Sequence, residues 1–114
     1  MMITLYGVPT CQKIRKTRAL LEQLDIDYQF VNVKKTPIPE DELRTIVAQL
    51  GLDKVINSKG PTYRKLGLKN KNLSDEELFQ ILLKEQGMIT RPLIKKGDRY
   101  WIGMDEEGIK QFLS

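Results

Sequence analysis

Cys11 is the single cysteine of the 114-residue chain, and the sequence contains no histidine. It stands in Ile3-Thr4-Leu5-Tyr6-Gly7-Val8-Pro9-Thr10-Cys11-Gln12-Lys13-Ile14-Arg15-Lys16. There an apolar strand-like run ends, a proline turn follows and a basic helical stretch begins. A thiol at a helix start faces backbone N–H groups without intrahelical partners and the positive end of the helix dipole, and both favour the thiolate. Lys13, Arg15 and Lys16 add positive charge. Cysteines in such settings have pKa values lowered from about 8.5 to about 3.5–7.5. The chemistry predicted is nucleophilic attack by sulfur. The absence of histidine excludes Cys–His catalysis and histidine metal sites, and one cysteine argues against a zinc site. The competing reading is a buried, inert thiol packing as a small hydrophobe. Thr10, Lys13 and the strand-to-helix position argue instead for a boundary site near solvent.

Hydrophobic residues make up 40% of the chain and charged residues 30%, an ordinary globular balance that predicts one domain over residues 1–114. No apolar run approaches the roughly 20 residues a membrane helix needs. The N-terminus lacks the basic-then-apolar order of a signal peptide. A lone cysteine cannot form an internal disulfide, which points to a reducing cytoplasm. Nothing demands more than a monomer. The net charge of +4 fits an anionic small substrate, an acidic partner or solubility alone. The cations are scattered, as in Lys34-Lys35, Arg64-Lys65 and Lys95-Lys96, without interleaved aromatics. This argues against direct nucleic-acid binding.

The elements that must position Cys11 follow from periodicity. Residues 2–6 read as a strand. Residues 11–24 read as a helix with Ile14, Thr17, Leu21 and Leu24 on one stripe and Leu20 beside it. Residues 28–33 alternate as a second strand, giving a strand–helix–strand unit with an expected right-handed parallel crossover. Pro37 and Pro39 break the chain. Residues 40–50 form a helix on Leu43, Ile46, Val47 and Leu50, with Gly51 as its C-terminal cap. A short helix is expected over 61–66. Ser74 to Glu77 is a capping box with Leu73 and Leu78 as staple. It opens a helix with Leu78, Ile81 and Leu82 inward, ended by Gly87. Residues 93–95 and 99–102 read as a hairpin around Gly97-Asp98. Asp105 caps a final helix with Ile109, Phe112 and Leu113 inward and Met104 and Ile109 as staple. Trp101 is expected to pack on a helix, while Tyr6 and Tyr63 fit core or pocket rim equally.

This order, β-α-β then helices then β-β-α, with a cysteine at the first helix start and a proline opening the third strand, resembles the thioredoxin fold. The helical insertion, about 39–86, narrows the resemblance to the arsenate-reductase-like group that includes the ArsC, Spx and YffB-like proteins. It rests on Leu5-Tyr6-Gly7 before Cys11, Lys16-Thr17-Arg18-Ala19-Leu20-Leu21, Asn57-Ser58-Lys59-Gly60 with Tyr63-Arg64-Lys65-Leu66, Thr90-Arg91-Pro92-Leu93-Ile94 and Ile102-Gly103. The implied fold is α/β (α+β), a mixed four-stranded sheet. The resemblance implies a cis Pro92 facing Cys11, and an Arg91 guanidinium contacting an oxyanion, a role its fixed donors suit. The alternative for Arg91 is a surface ion pair. Lys59 stands where the glutaredoxin-linked arsenate reductases carry an arginine, and Ile14 where Cys-x-x-Cys relatives carry a second thiol.

Two functions follow from the resemblance. The first is a single-cysteine, thiol-dependent reductase. Cys11 attacks, Arg91 stabilises charge, and Thr10, Lys13, Lys59 and Pro92 bind substrate. Glutathione or a glutaredoxin-like protein serves as the external donor, and no cofactor is bound. The departures at Lys59 and Ile14 count against arsenate itself as substrate. The second is an Spx-like regulator that binds the C-terminal domain of the RNA polymerase α subunit. Gly51 lies near a glycine used at that contact, and Arg91-Pro92 resembles the arginine–proline pair of those regulators. Ile14 abolishes their usual two-cysteine switch, so the reductase reading ranks first.

Overall fold

The computed structural model describes residues 2–114. Its sheet has four strands, β1 (Ile3–Gly7), β2 (Gln29–Asn32), β3 (Leu93–Lys96) and β4 (Arg99–Ile102), in the order β2-β1-β3-β4. β1 pairs parallel to β2, with Gly7 opposite Asn32, and antiparallel to β3, with Tyr6 opposite Leu93. β3 and β4 form the expected hairpin, turned at Gly97 with φ 64°. The helices are α1 (Gln12–Gln23), α2 (Glu40–Leu50), α3 (Leu52–Val55), α4 (Pro61–Lys65), α5 (Asp75–Lys84) and α6 (Glu106–Leu113). Short 3-10 turns occupy Leu68–Asn70 and Gln86–Met88.

Strand alternation divides the interior into two layers. Ile3, Leu5 and Ile94 point to one face and pack with Ile14, Leu20 and Leu21 of α1 and Ile109 of α6. Tyr6, Leu93 and Tyr100 point to the other and meet Leu43 and Ile46 of α2, Phe79 and Leu82 of α5, and Val55 of α3. The helices between β2 and β3 therefore cover one face, and the terminal helices cover the other. Burial at about 25 cal/mol per Å² makes these two layers the main favourable term in folding.

Several expected details change. Leu24 leaves the α1 stripe and is 37% exposed, because α1 ends at Gln23 and the chain turns at Asp25 with φ 58°. In α5 the buried positions are Phe79 and Leu82, whereas Leu78 and Ile81 are only partly covered. Arg44 lies 4.3 Å over the Phe79 ring, roofing the side chain that replaces Leu78 in the core. α5 ends at Lys84 rather than Gly87, which belongs to the following 3-10 turn. The capping box forms as expected: Glu77 N–H donates to Ser74 Oγ at 3.2 Å, and Ser74 N–H donates to Glu77 Oε1 at 3.0 Å. Asp105 caps α6 by accepting from Gly108 N–H at 3.2 Å. Trp101 packs on Phe112 of α6, ring centroids 6.1 Å apart.

Candidate active site

The Cys11 loop is fixed at both ends. β1 finishes at Gly7, whose carbonyl accepts from Val33 N–H at 3.1 Å, so the loop leaves the sheet beside the end of β2. Cys11 N–H closes the turn onto the Val8 carbonyl at 3.0 Å. Cys11 is the N-cap residue of α1, with extended backbone at φ −76° and ψ 131°, and its carbonyl accepts the first helical bond from Arg15 N–H at 3.0 Å. The side chain makes no cap hydrogen bond to the α1 amides, and the first turn of α1 holds no acidic residue. Cys11 thus stands at the positive end of the dipole of a 12-residue helix. Cys11 is half-buried against the Leu5–Ile14–Ile94–Ile109 cluster, neither a sealed core residue nor a free surface thiol. Thr10 and Lys13 flank it and are exposed.

The start of β3 lies at the same end of the sheet as the Cys11 loop. One step beyond the Tyr6–Leu93 pair, the antiparallel ladder brings Pro92 level with Gly7. The Arg91–Pro92 peptide bond is cis, as the resemblance implied. Pro92 is buried, and its carbonyl accepts from Gly103 N–H at 3.0 Å, which ties the site to the end of β4. Gly103 reaches that position at φ 102°, a backbone region that suits glycine. Arg91 is half-buried at the same sheet end. Just before it, Thr90 hangs from α3. Its N–H donates to the Val55 carbonyl at 2.7 Å and its hydroxyl to the Lys54 carbonyl at 2.9 Å.

Lys59 is less closely attached. It lies in the exposed turn after Asn57, whose N–H donates to the Met88 carbonyl at 2.8 Å. Among the described residues no hydrogen bond or ion pair joins Lys59 to Arg91 or to the Cys11 loop. The fold thus places Cys11, Thr10, Lys13, Arg91 and Pro92 beyond one end of β1 and β3, and Lys59 in the turn that follows α3. No cluster of three or more metal-ligating side chains occurs among the described residues. Among the described residues no helix is long and apolar enough to cross a membrane.

Two polar devices escape sequence reasoning. Gln86 is buried, and its amide both donates to the Ile38 carbonyl at 2.9 Å and accepts from Ile38 N–H at 2.7 Å, closing the β2–α2 loop against the β3 approach. Nothing in its neighbours along the chain signals this. The second is Glu42, which accepts from Tyr6 Oη at 2.7 Å and Tyr100 Oη at 3.1 Å, with Lys95 Nζ at 3.4 Å. Burial, with the Glu42 hydrogen bond and charge, pushes Tyr6 well above the usual tyrosine range. Burial and the Glu42 charge do the same to Tyr100. Tyr6 is therefore a core residue fastening α2 to the sheet. Tyr63 instead lines a cavity of about 400 Å³ with Leu52, Asp53 and Leu78.

A four-stranded mixed sheet ordered β2-β1-β3-β4, with the lone thiol at the first helix start and a cis-proline at the same end of the sheet, defines a thioredoxin-like protein. The sequence profile of the ArsC family matches residues 6–112, and the chain belongs to that family. It is 35% identical to the global transcriptional regulator Spx of Listeria innocua over 98% of this chain and 87% of that protein. Among solved structures it resembles the YFFB protein with a TM-score of 0.90 and 28% identity, covering 98% of this chain and 99% of the other. It also resembles the arsenate reductase from Vibrio cholerae, with a TM-score of 0.84 and 29% identity over 97% of each chain.

Proposed function

We propose that the protein is a single-cysteine thiol oxidoreductase in which Cys11 is the nucleophile. The observation that carries this reading is the half-buried thiol at the N-cap of a helix with no acid in its first turn, beyond the same end of the β1–β3 ladder as Arg91-Pro92. The Cys11 thiolate attacks one sulfur of a disulfide. A new Cys11–sulfur bond forms, the substrate S–S bond breaks, and the departing thiolate takes the electron pair and then a proton. Arg91 stabilises the charge of the departing sulfur or of an oxyanion, and Thr10, Lys13 and Pro92 border the substrate. Lys59 contributes charge from the insert. With no second cysteine in the chain, a second thiol, glutathione or a glutaredoxin-like protein in the cytoplasm, displaces Cys11 and regenerates it. Rapid-mixing kinetics with oxidised glutathione test this: Cys11→Ser abolishes exchange, and Arg91→Gln slows it about tenfold or more. Exchange that survives Cys11→Ser unchanged would overturn the reading.

A second reading is favoured by the 35% identity to an Spx regulator and by Gly51. Gly51 turns the chain from α2 into α3 at φ 94°, which leaves a sharp corner on the insert. On this reading the corner docks the C-terminal domain of the RNA polymerase α subunit. Co-elution of the two purified proteins as a stoichiometric complex, lost in Gly51→Arg, supports it. Separate elution at concentrations well above those in a cell excludes it.

A further inference from the structure

The order β2-β1-β3-β4 leaves β2 as an edge of the sheet, with β1 on one side and no strand on the other. Val33 N–H donates to the Gly7 carbonyl at 3.1 Å, so the two-residue period of a strand directs the backbone groups of Gln29, Val31 and Val33 towards β1. The N–H and C=O groups of Phe30 and the N–H of Asn32 point the other way, out of the sheet. The Asn32 carbonyl is already engaged: it accepts from Lys35 N–H at 3.0 Å and from Thr36 N–H at 2.8 Å, which ends the strand. Arg18 lies 4.7 Å over the Phe30 ring and donates from Nε to Tyr28 Oη at 3.0 Å, so the aromatic side chains along this edge are held in place.

The charges at the two ends of β2 are opposite in sign. Asp25 and Asp27 precede the strand, and Lys34 and Lys35 follow it. All are exposed, and none has a salt-bridge partner among the described residues. An open hollow of about 280 Å³ at the acidic end is lined by Glu22, Asp25, Ile26, Asp27 and Tyr28. Its apolar wall and acidic rim suit a lysine stem and its ammonium. Acids stand on both sides of the other edge strand, β4, as Asp98 and Asp105. An exposed strand edge is a template for pairing, and charge decides what it admits. Parallel self-pairing of β2 sets acid beside acid and lysine beside lysine. Antiparallel self-pairing sets each acidic end against a basic one.

We propose that the β2 edge is the docking surface for a second copy of this chain, paired antiparallel about a two-fold axis at Phe30. Each Phe30 exchanges its N–H and C=O with its counterpart, and each Asn32 N–H donates to the Tyr28 carbonyl of the other copy. Carried past the strand ends, the same register sets Asp25 and Asp27 of each copy beside Lys34 and Lys35 of the other. The contact is isologous and closed, so it stops at a dimer. A four-residue strand makes a small interface, and the dimer is weak and reversible. Gly7 pairs with Asn32, so the Cys11 loop lies at the basic end of β2. The two-fold sends the two Cys11 loops to opposite ends of the joined sheet, and the dimer is independent of the thiol chemistry.

Sedimentation equilibrium from micromolar to millimolar protein tests this, with reductant present so that no Cys11–Cys11 linkage contributes. A monomer–dimer equilibrium is expected whose dissociation constant rises about tenfold between about 0.05 and 0.5 M salt, as the ion pairs are screened. Lys34→Glu/Lys35→Glu makes both ends acidic, and Glu22→Lys/Asp27→Lys makes both ends basic. Each variant alone is expected to stay monomeric, and an equimolar mixture of the two to form a heterodimer, an outcome that misfolding of either could not produce. Amide hydrogen exchange of the native protein should slow with concentration at Phe30 and Asn32, and not at Val31, which already bonds β1. A native protein that is monomeric at millimolar concentration overturns the proposal. So does a dimer that survives either charge reversal, or one whose added protection lies away from Phe30 and Asn32.

Discussion

Ile14 of α1 stands directly over Gly7 of β1. A Cβ on Gly7 would overlap Ile14 Cδ1 and come within 2.6 Å of Ile14 Cγ1. The two residues bracket the Cys11 loop, one ending the strand and the other opening the buried face of the helix. The absence of a side chain at position 7 is what lets α1 approach β1 closely enough to hold that loop. Gly7→Ala is expected to destabilise the protein by about 1–3 kcal/mol through overpacking. Urea denaturation measures the loss, and Ile14→Val in the same background should recover part of it. Equal losses in the presence and absence of Ile14→Val would show that the contact is not the cause.

Ile14 is fully buried and occupies the position of the second thiol in Cys-x-x-Cys relatives. Ile14→Cys is expected to turn the single-cysteine site into a self-resolving pair. The mixed disulfide with glutathione should then collapse to an internal disulfide between Cys11 and the introduced thiol. Intact mass would show this as loss of the adduct and of two hydrogens. The substitution also removes buried volume and should lower stability by about 1–3 kcal/mol. Persistence of the glutathione adduct in that variant would mean that position 14 faces the core too rigidly to resolve Cys11.

The Glu42 cluster predicts alkaline behaviour. Tyr6 and Tyr100 have raised pKa values in the fold, whereas their unfolded counterparts ionise near about 10. The unfolded chain therefore releases protons first. The stabilisation is complete below pH about 10 and is lost as pH rises above it. Ultraviolet titration should show two of the four tyrosines resisting ionisation until unfolding. Tyr6→Phe should cost about 1–3 kcal/mol, since it deletes a hydrogen bond to a carboxylate. All four tyrosines titrating together near pH 10 would exclude the cluster.

The acid side depends on Arg44, which bonds Glu76 at 2.9 Å and Glu40 at 2.7 Å on the surface between α2 and α5. The Arg44 hydrogen bond, aided by Gln80, holds Glu76 at about 2, below the ordinary 4.5. A depressed carboxylate stabilises above its unfolded pKa and loses that effect as pH falls from about 4.5 towards about 2. Arg44→Gln should flatten the stability loss across this window, and the effect should shrink in high salt because the pair is exposed. An unchanged slope would assign acid sensitivity to other carboxylates.

The sequence carried most of the scaffold because its caps and periodicities agree locally. α2, β4, the Ser74 capping box and the Asp105 cap all lie where their residues indicate. Cys11 and the cis Arg91–Pro92 bond were legible for different reasons, one from helix-start physics and the other from resemblance. α5 misled because Leu78, Phe79, Ile81 and Leu82 offer two apolar stripes, and only tertiary packing selects Phe79 and Leu82. Gln86 and Glu42 were invisible because their partners lie 48 and 36 or more residues away. The four-residue helix α3, capped by Gly51, is too short to show a period.

The role of Cys11 as nucleophile is tested most directly by intact mass of the native protein after incubation with oxidised glutathione. One glutathione adduct is expected, located on Cys11, absent in Cys11→Ser and removed by added reduced thiol. A native protein that stays unmodified, while the same protein unfolded in urea is modified at Cys11, would contradict that role by showing a thiol sealed in the fold.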